Sequence, residues 1–525
     1  MARLALLSVS DKTGLVEFAR SLVEEFGFDI ISSGGTANAL QEAGLPVTKV
    51  SDYTSSPEIL GGRVKTLHPR IHGGILARRD VPADMADLAA QGIRPIDLVV
   101  VNLYPFETTI ARPDVSIAEA IEQIDVGGPA MLRASAKNYA HLTVLCQPSQ
   151  YDLYLQALRQ NEGEVPSEFR QQAALKAFQH TGEYDQSIFT YLAEQSSAVR
   201  GEQLEEERAL SPSFSLTGQQ IQPLRYGENP HQPAAWYQTG AIASGWAAAT
   251  KLQGKELSYN NLVDLEAARQ LIAEFVDPEN PPAAAILKHT NPCGAALGHT
   301  IAEAYEKAFN ADPVSAFGGI VALSRAIDGA TALLLTKTFL ECVVAPSCNP
   351  EALEILESKS KVRVLVLPDL TQGADYAVKA IAGGFLAQTS DDQAVDFAAW
   401  TVATEKQPTP AQLEELLFAW KICKHVKSNA IVITRDRATL GVGAGQMNRV
   451  GSVKIALEQA GEKAQAAILA SDGFFPFDDS VRIAAAAGIQ AIVQPGGSLR
   501  DQDSIAAANE LGIVMLLTGT RHFLH

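Results

Sequence analysis

Residues 283–298, AAAILKHTNPCGAALG, decide how the larger part of the chain is read. The apolar run from Ala283 to Leu287 has the length of a buried strand, and Asn291-Pro292-Cys293-Gly294 is turn chemistry that ends it. Lys288 and His289 therefore stand where a strand stops, and in open α/β sheets ligands bind at that carboxyl end. A histidine exchanges protons near neutral pH, and a neighbouring cation can keep it neutral or donate to a leaving group. A strand end capped by two solvated polar residues also accounts for the dipeptide taken alone. The loops that accompany it favour chemistry.

At 525 residues the chain is too long for one core. Its 46% hydrophobic and 19% charged residues describe an ordinary globular protein. A net charge of −18 argues against nucleic acid or anionic membranes as partners. Any anionic substrate must then be held locally by Arg, Lys and backbone N–H groups. Cys146, Cys293, Cys342, Cys348 and Cys423 form no CxxC pair and are odd in number, which points to a reducing cytoplasm. The opening MARLALLSVSDK has too short an apolar run for a signal peptide, and no later run approaches a membrane span.

From the amino end, LALLSV (4–9) reads as a buried strand, and Leu15, Phe18, Ala19, Leu22, Val23 and Phe26 recur at helical spacing. A strand from Phe28 to Ile31 runs into Ser32-Ser33-Gly34-Gly35-Thr36 and a helix expected near Ala37. Small residues ahead of a helix leave N–H groups free to hold a phosphate. Helices near 83–91 and 116–124 and strands near 96–103 and 142–146 complete an alternating pattern, which predicts a doubly wound parallel sheet. Three clusters fall on its edges: GGRVKTLHP (61–69), NLYPF (102–106) and DVGGPAMLRASAKN (125–138). Residues 150–195 read as helical, and His180 among them suits a satisfied packing role as well as a functional one. The charged, then Ser- and Gln-rich stretch 196–222 reads as a linker. Beyond it come RYGENPHQ (225–232), where an Arg beside a Tyr can clamp a phosphate, and LSYNN (257–261), which can cap a helix. SAFGG (315–319), KSNA (427–430), GAGQMNR (443–449) and SDGFFPFDD (471–479) follow. The last is an aromatic run able to grip a flat heterocycle.

These clusters, in this order along the whole chain, resemble the bifunctional purine-biosynthesis family that joins 5-aminoimidazole-4-carboxamide ribonucleotide (AICAR) formyltransferase to IMP cyclohydrolase. Ser135 and Gly473 depart from it, standing where alanine is expected. The resemblance implies an α/β protein. Residues 1–198 would form a methylglyoxal-synthase-like cyclohydrolase domain, and 199–525 a formyltransferase of two cytidine-deaminase-like subdomains. It assigns Lys65, Tyr104, Asp125 and Lys137 to ring closure, and Ser10, Lys12, Ser33, Gly35, Thr36 and Arg63 to the phosphate and ribose. Lys288, His289 and Asn429 fall to formyl transfer, with Arg225, Tyr226, Asn261, Arg521 and His525 on the nucleotide. Phe317, Gly318, Arg449, Phe474 and Asp479 fall to the folate. The resemblance further implies 10-formyltetrahydrofolate as co-substrate, AICAR, formyl-AICAR and IMP as ligands, and a homodimer whose transfer sites lie between subunits. It requires no catalytic metal and allows a structural monovalent cation.

The chemistry suits those roles. AICAR's amine is conjugated with an electron-poor ring and attacks weakly, so a base at His289 helps, and Lys288 can protonate the departing folate nitrogen. Asn429 can donate to the oxyanion on the formyl carbon. Ring closure is intramolecular and needs mainly a held conformer and moved protons. A zinc nucleoside deaminase, suggested by Pro292-Cys293, needs H-x-E and P-C-x-x-C, and the chain has neither. A non-catalytic ligand-binding or scaffold protein built from α/β domains is the other rival. Turnover of AICAR with 10-formyltetrahydrofolate separates it from the enzyme.

Overall fold

The computed structural model describes residues 2–112, 114–201, 210, 214–240 and 242–525. The chain divides into two units, Met1–Ala209 and Leu210–His525. Of the expected linker, 202–209 and 211–213 lie outside the described residues. Its first residues continue the helix Ser167–Gly201, and Gln219 already opens a strand.

In the first unit, β1 (Arg3–Val9), β2 (Phe28–Ser32), β3 (Val47–Lys49), β4 (Leu98–Asn102) and β5 (Thr143–Leu145) form a sheet in the order β3-β2-β1-β4-β5. Every pairing is parallel. Leu4, Leu6, Val99 and Val101 pack into one core, and Ala5, Leu7, Leu98 and Val100 into another. Both faces are thus buried, which is why these strands read as unbroken apolar runs. Strand order reverses between β1 and β4, where a doubly wound sheet opens a crevice. The sequence reading missed β3, whose three residues are half-buried or exposed and carry little apolar signal. The helix expected at Ala37 starts at Gly34. The stretch 150–195 is two helices, Tyr151–Gln160 and Ser167–Gly201, broken where Glu162 and Gly163 take positive φ. The Nε2 of His180 is buried without a hydrogen-bond partner among the described residues, and burial lowers the pKa of the ring.

The second unit opens with a hairpin of β6 (Gln219–Leu224) and β7 (Ala234–Gln238). Then come β8 (Thr250–Gln253), β9 (Ala283–Lys288), β10 (Asn291–Leu297), β11 (Ile320–Leu323), β12 (Cys342–Ala345) and β13 (Arg363–Val366). A second hairpin, β14 (Tyr376–Ile381) with β15 (Gly384–Thr389), stands apart. The chain finishes with β16 (Thr401–Val402), β17 (Ile431–Arg435), β18 (Ala438–Gly443), β19 (Ile468–Ser471), β20 (Ala491–Gln494) and β21 (Val514–Leu517).

Twelve of these strands form one sheet, β16-β21-β20-β19-β17-β18-β10-β9-β11-β12-β13-β8. Read outward from its middle, the order repeats. Each half is an antiparallel hairpin (β9–β10, β17–β18), three mutually parallel strands and an antiparallel edge strand. The halves join where β10 runs antiparallel to β18, Ala296 opposite Ala438. Each step from β11 through β9, β10, β18 and β17 to β19 is antiparallel. The carboxyl end of β9 therefore shares an edge with the amino ends of β11 and β17 and with the carboxyl ends of β19, β20 and β21.

Helices lie directly on the joining strands. A methyl group at Gly294 would stand 1.9 Å from the Ala308 carbonyl oxygen, and one at Gly441 2.0 Å from that of Ala456. Gly441→Ala should accordingly destabilise the protein by about 3 kcal/mol through overpacking. Denaturant unfolding checks this, and an unchanged midpoint would contradict the close crossing.

Candidate active sites

In the first unit a cavity of about 640 Å³ opens at the ends of β1, β2 and β4. Ser10, Lys12, Ser33, Gly35, Thr36, Arg63, Lys65, Tyr104 and Asp125 all line it. Ser33 precedes the helix Gly34–Glu42 but makes no side-chain cap, so the helix N-terminus is left open toward the cavity. Two ammonium groups hang over it. A methyl at Gly34 would stand 3.2 Å from Lys65 Nζ, and one at Gly35 3.8 Å from Lys12 Nζ. Open N–H groups and two cations make this corner fit for a phosphate. The cations are partnered meanwhile: Lys65 Nζ is 3.4 Å from Glu58 Oε2, and Arg63 pairs with Glu122 across the cavity wall. Such exposed pairs are weak and yield readily to a phosphate dianion.

Other hydroxyls are committed to the fold. Thr36 Oγ1 accepts from the Val9 N–H at 2.9 Å and donates to the Val9 carbonyl at 2.9 Å. Ser10 Oγ donates to the Leu103 carbonyl at 2.6 Å. Asn102, unnoticed as a site residue, holds the loop after β1 by accepting from the N–H groups of Ser10 and Asp11 at 2.6 and 2.9 Å. Asp125 leads into the helix Gly127–Lys137 and accepts from the Gly128 N–H at 2.8 Å. A methyl at Gly128 would stand 2.3 Å from the Asp125 carboxylate, so glycine is needed there. Lys137 departs from expectation. It sits exposed at the far end of that helix, about 15 Å along the axis, and does not line the cavity.

In the second unit the expected formyl-transfer residues converge on the edge defined above. Lys288 ends β9, and its ammonium donates to the Phe317 carbonyl. Phe317 is 58% exposed and tilts against Phe339, while Gly318 takes φ 71° beside the Lys288 ammonium. His289 is exposed in the turn to β10. The segment before β17 joins in: the Lys427 N–H donates to Asn291 Oδ1 at 3.0 Å. Asn429 donates from Nδ2 to the Gln446 carbonyl at 2.8 Å and accepts on Oδ1 from Arg449 Nη2 at 2.8 Å. Arg449 is buried and paired with Asp472, so it orients the Asn429 amide and does not present a free charge to a folate. Asp472, absent from the expected set, also accepts from the Ala430 N–H at 3.1 Å.

Phe474 and Asp479 follow β19 on the same edge, both exposed, whereas Phe475 is buried in the core. Arg521 lies over the Phe523 ring at 4.4 Å, and His525 is exposed beside it. The Leu524 carbonyl accepts from the Ser428 N–H at 2.9 Å and ties the chain's last residues to Asn429's loop. Arg225 stacks over Tyr226 at 5.5 Å on the loop between β6 and β7. Asn261 is buried in a capping box with Ser258, so its amide serves the helix Tyr259–Ala273. Among the described residues no group of three His, Cys, Asp or Glu side chains is placed to hold a metal ion.

Burial raises the pKa of Asp125 above its ordinary 3.8, although the N–H groups of Gly127 and Gly128 partly counter the effect. A raised carboxyl favours folding while protonated, and that contribution is lost as pH rises through the folded pKa. Asp125→Asn should therefore melt higher than the wild type at pH 7, with the difference vanishing below about pH 3.9. Melting curves at the two pH values check the sign, and a less stable Asn variant at pH 7 would contradict it.

Comparison with known proteins places the chain in a family. A model described as "AICARFT/IMPCHase bienzyme" matches residues 135–459, and one described as "MGS-like domain" matches 14–130. The chain is 72% identical to the "Bifunctional purine biosynthesis protein PurH" of Nostoc punctiforme, covering 100% of both chains. It is 70% identical to the protein of that name from Synechococcus elongatus, again over 100% of each. A solved structure titled "Crystal structure of ForH" is 41% identical over 36% of this chain and 97% of its own, with a TM-score of 0.32. With that identity over the full length, the chain belongs to the AICARFT/IMPCHase bienzyme family.

Proposed function

We propose that each unit carries one of the family's two reactions. The chain performs the last two steps of IMP synthesis, formyl transfer from 10-formyltetrahydrofolate to AICAR and then dehydrative ring closure to IMP. The observation that carries the assignment is the partition of groups. The cavity with Lys65, Tyr104 and Asp125 belongs to the first unit, and the edge with Lys288, His289 and Asn429 to the second. We set the division of the two activities near residues 198 and 199.

For transfer, His289 takes a proton from the AICAR amine as it attacks the formyl carbon. Asn429 has one amide hydrogen committed to Gln446, and its second meets the oxyanion. The intermediate collapses as Lys288, steered by the Phe317 carbonyl, protonates the folate nitrogen. Phe317, Gly318, Phe474 and Asp479 serve the folate, and Arg225, Tyr226, Arg521 and His525 the nucleotide. Asn261 and Arg449 act on the fold of the site rather than on ligand. For closure, the phosphate occupies the corner formed by Lys12, Lys65, Ser33 and Gly35, and Arg63 exchanges Glu122 for it. Asp125 takes a proton from the carboxamide nitrogen as it attacks the formyl carbon, and Lys65 and Tyr104 meet the charge on the formyl oxygen. That oxygen leaves as water with two protons, the one relayed by Asp125 and the one lost from the formamide nitrogen as the ring C=N forms. Lys137 has no contact in this scheme.

The family resemblance further supports a homodimer. The β14–β15 hairpin exposes Val378, Ile381, Phe385 and Leu386, and an isolated two-stranded hairpin is marginal in water. All five cysteines are free, which supports a reducing cytoplasm. No helix among the described residues is long and apolar enough to cross a membrane. Equilibrium sedimentation should give a dimer, and a monomer with full transfer activity would contradict the shared site.

His289→Ala should lower formyl transfer by about 10²–10⁴-fold and leave closure of supplied formyl-AICAR near normal. Lys65→Ala should do the reverse. Assay of both half-reactions on each variant decides. Loss of both activities together in either variant would contradict the partition.

A further inference from the structure

We propose that Asp264 is the positioning residue for His289, holding the turn that presents it by accepting the Thr290 backbone N–H. The inference rests on His289 acting in formyl transfer. The turn from β9 to β10 has two central residues, His289 at φ 52° and Thr290 at φ 65°. Both lie in the left-handed region, which a two-residue hairpin turn of this hand requires and which side chains other than glycine resist. Such a conformation persists where neighbouring groups over-determine it. Asp264 supplies that constraint, since its Oδ1 accepts from the Thr290 N–H at 2.8 Å. The carboxyl is half-buried. Burial raises its pKa, and the hydrogen bond from the Thr290 N–H opposes the rise.

The duplicated sheet supplies an independent observation. In the other half the turn from β17 to β18 is Asp436 at φ 57° and Arg437 at φ 53°, again two side-chain-bearing residues in the left-handed region. Its second N–H, that of Arg437, is accepted by Glu415 Oε2 at 2.7 Å. Asp264 and Glu415 each stand five residues beyond the first residue of their helices, Tyr259–Ala273 and Pro410–Cys423. A helix carboxylate on the turn's second N–H is thus a device of the repeating unit. Only one copy of the turn carries a Lys-His pair. The other lies at the opposite edge of the sheet, because β17 runs antiparallel to β9.

The ring of His289 follows its own Cα, so a relaxed turn moves the base off the amine. A misplacement of about 1 Å costs on the order of 10²-fold in rate. Asp264→Ala should therefore lower kcat for formyl transfer by about 10²-fold, with the KM for AICAR and the closure rate little changed. Asp264→Asn keeps an oxygen acceptor and should restore most of that kcat. Glu415→Ala is the built-in control: it should lower the melting temperature and leave transfer kcat intact. Wild-type kcat in Asp264→Ala would overturn the proposal, as would an Asn variant no better than Ala, or an equal kcat loss in Glu415→Ala. If Asp264→Ala does not fold, the Asn and Glu415 variants still decide. His289→Ala is measured alongside. Full transfer in that variant removes the site reading itself, whereas an inactive His289→Ala beside a normal Asp264→Ala removes only the role of Asp264.

Discussion

The second unit depends on one ladder, β10 against β18 with Ala296 opposite Ala438. Joining two similar half-sheets antiparallel places the hairpin turn of one half beside the carboxyl edge of the other. His289 comes from the first half, and Asn429, Arg449 and Asp472 from the second. Neither half holds the full set. The close approach that the ladder demands is visible in Gly294 and Gly441, where any Cβ would collide with a helix carbonyl.

The same geometry creates a second composite edge, and its residues differ in kind from those beside His289. Asp472 follows β19 and accepts the N–H that starts the β17 hairpin. Ser324 follows β11 and does the same for Ala283 at 2.8 Å. Arg449 opens the helix after β18, and its counterpart Ile301 opens the helix after β10 and is buried among apolar groups. Where the edge carrying His289 has an ion pair steering an amide, the opposite edge has a hydroxyl and an isoleucine. The backbone device survives in both halves, and the charged apparatus stands in one.

Much of the first unit was legible. Strands β1, β2 and β4 are buried on both faces and so form apolar runs, and the helix Leu15–Glu24 buries four residues at helical spacing. The loops that line its cavity were legible because they put small residues and turn residues at strand ends. The three-residue β3 carries too little pattern to be seen. The two like subdomains of the second unit came only from the family resemblance, because the duplication is a repeat of topology, with Ile301 standing opposite Arg449, and sequence periodicity does not register it. Asp264 is a single acid on an amphipathic helix, and only the folded turn reveals its partner. Lys137 and Arg449 were expected at ligands from their place in motifs. The helix that carries Lys137 leads it away from the cavity, and the burial of Arg449 turns its charge inward.

The central claim is that two chemistries occupy two separately built sheet edges. A crystal structure of the protein soaked with IMP tests it most directly. The account predicts phosphate density at the N-terminus of the helix Gly34–Glu42, between Lys12 and Lys65, with Arg63 released from Glu122. A nucleotide bound only at the edge carrying His289, with the first cavity empty and the Arg63–Glu122 pair intact, would contradict it.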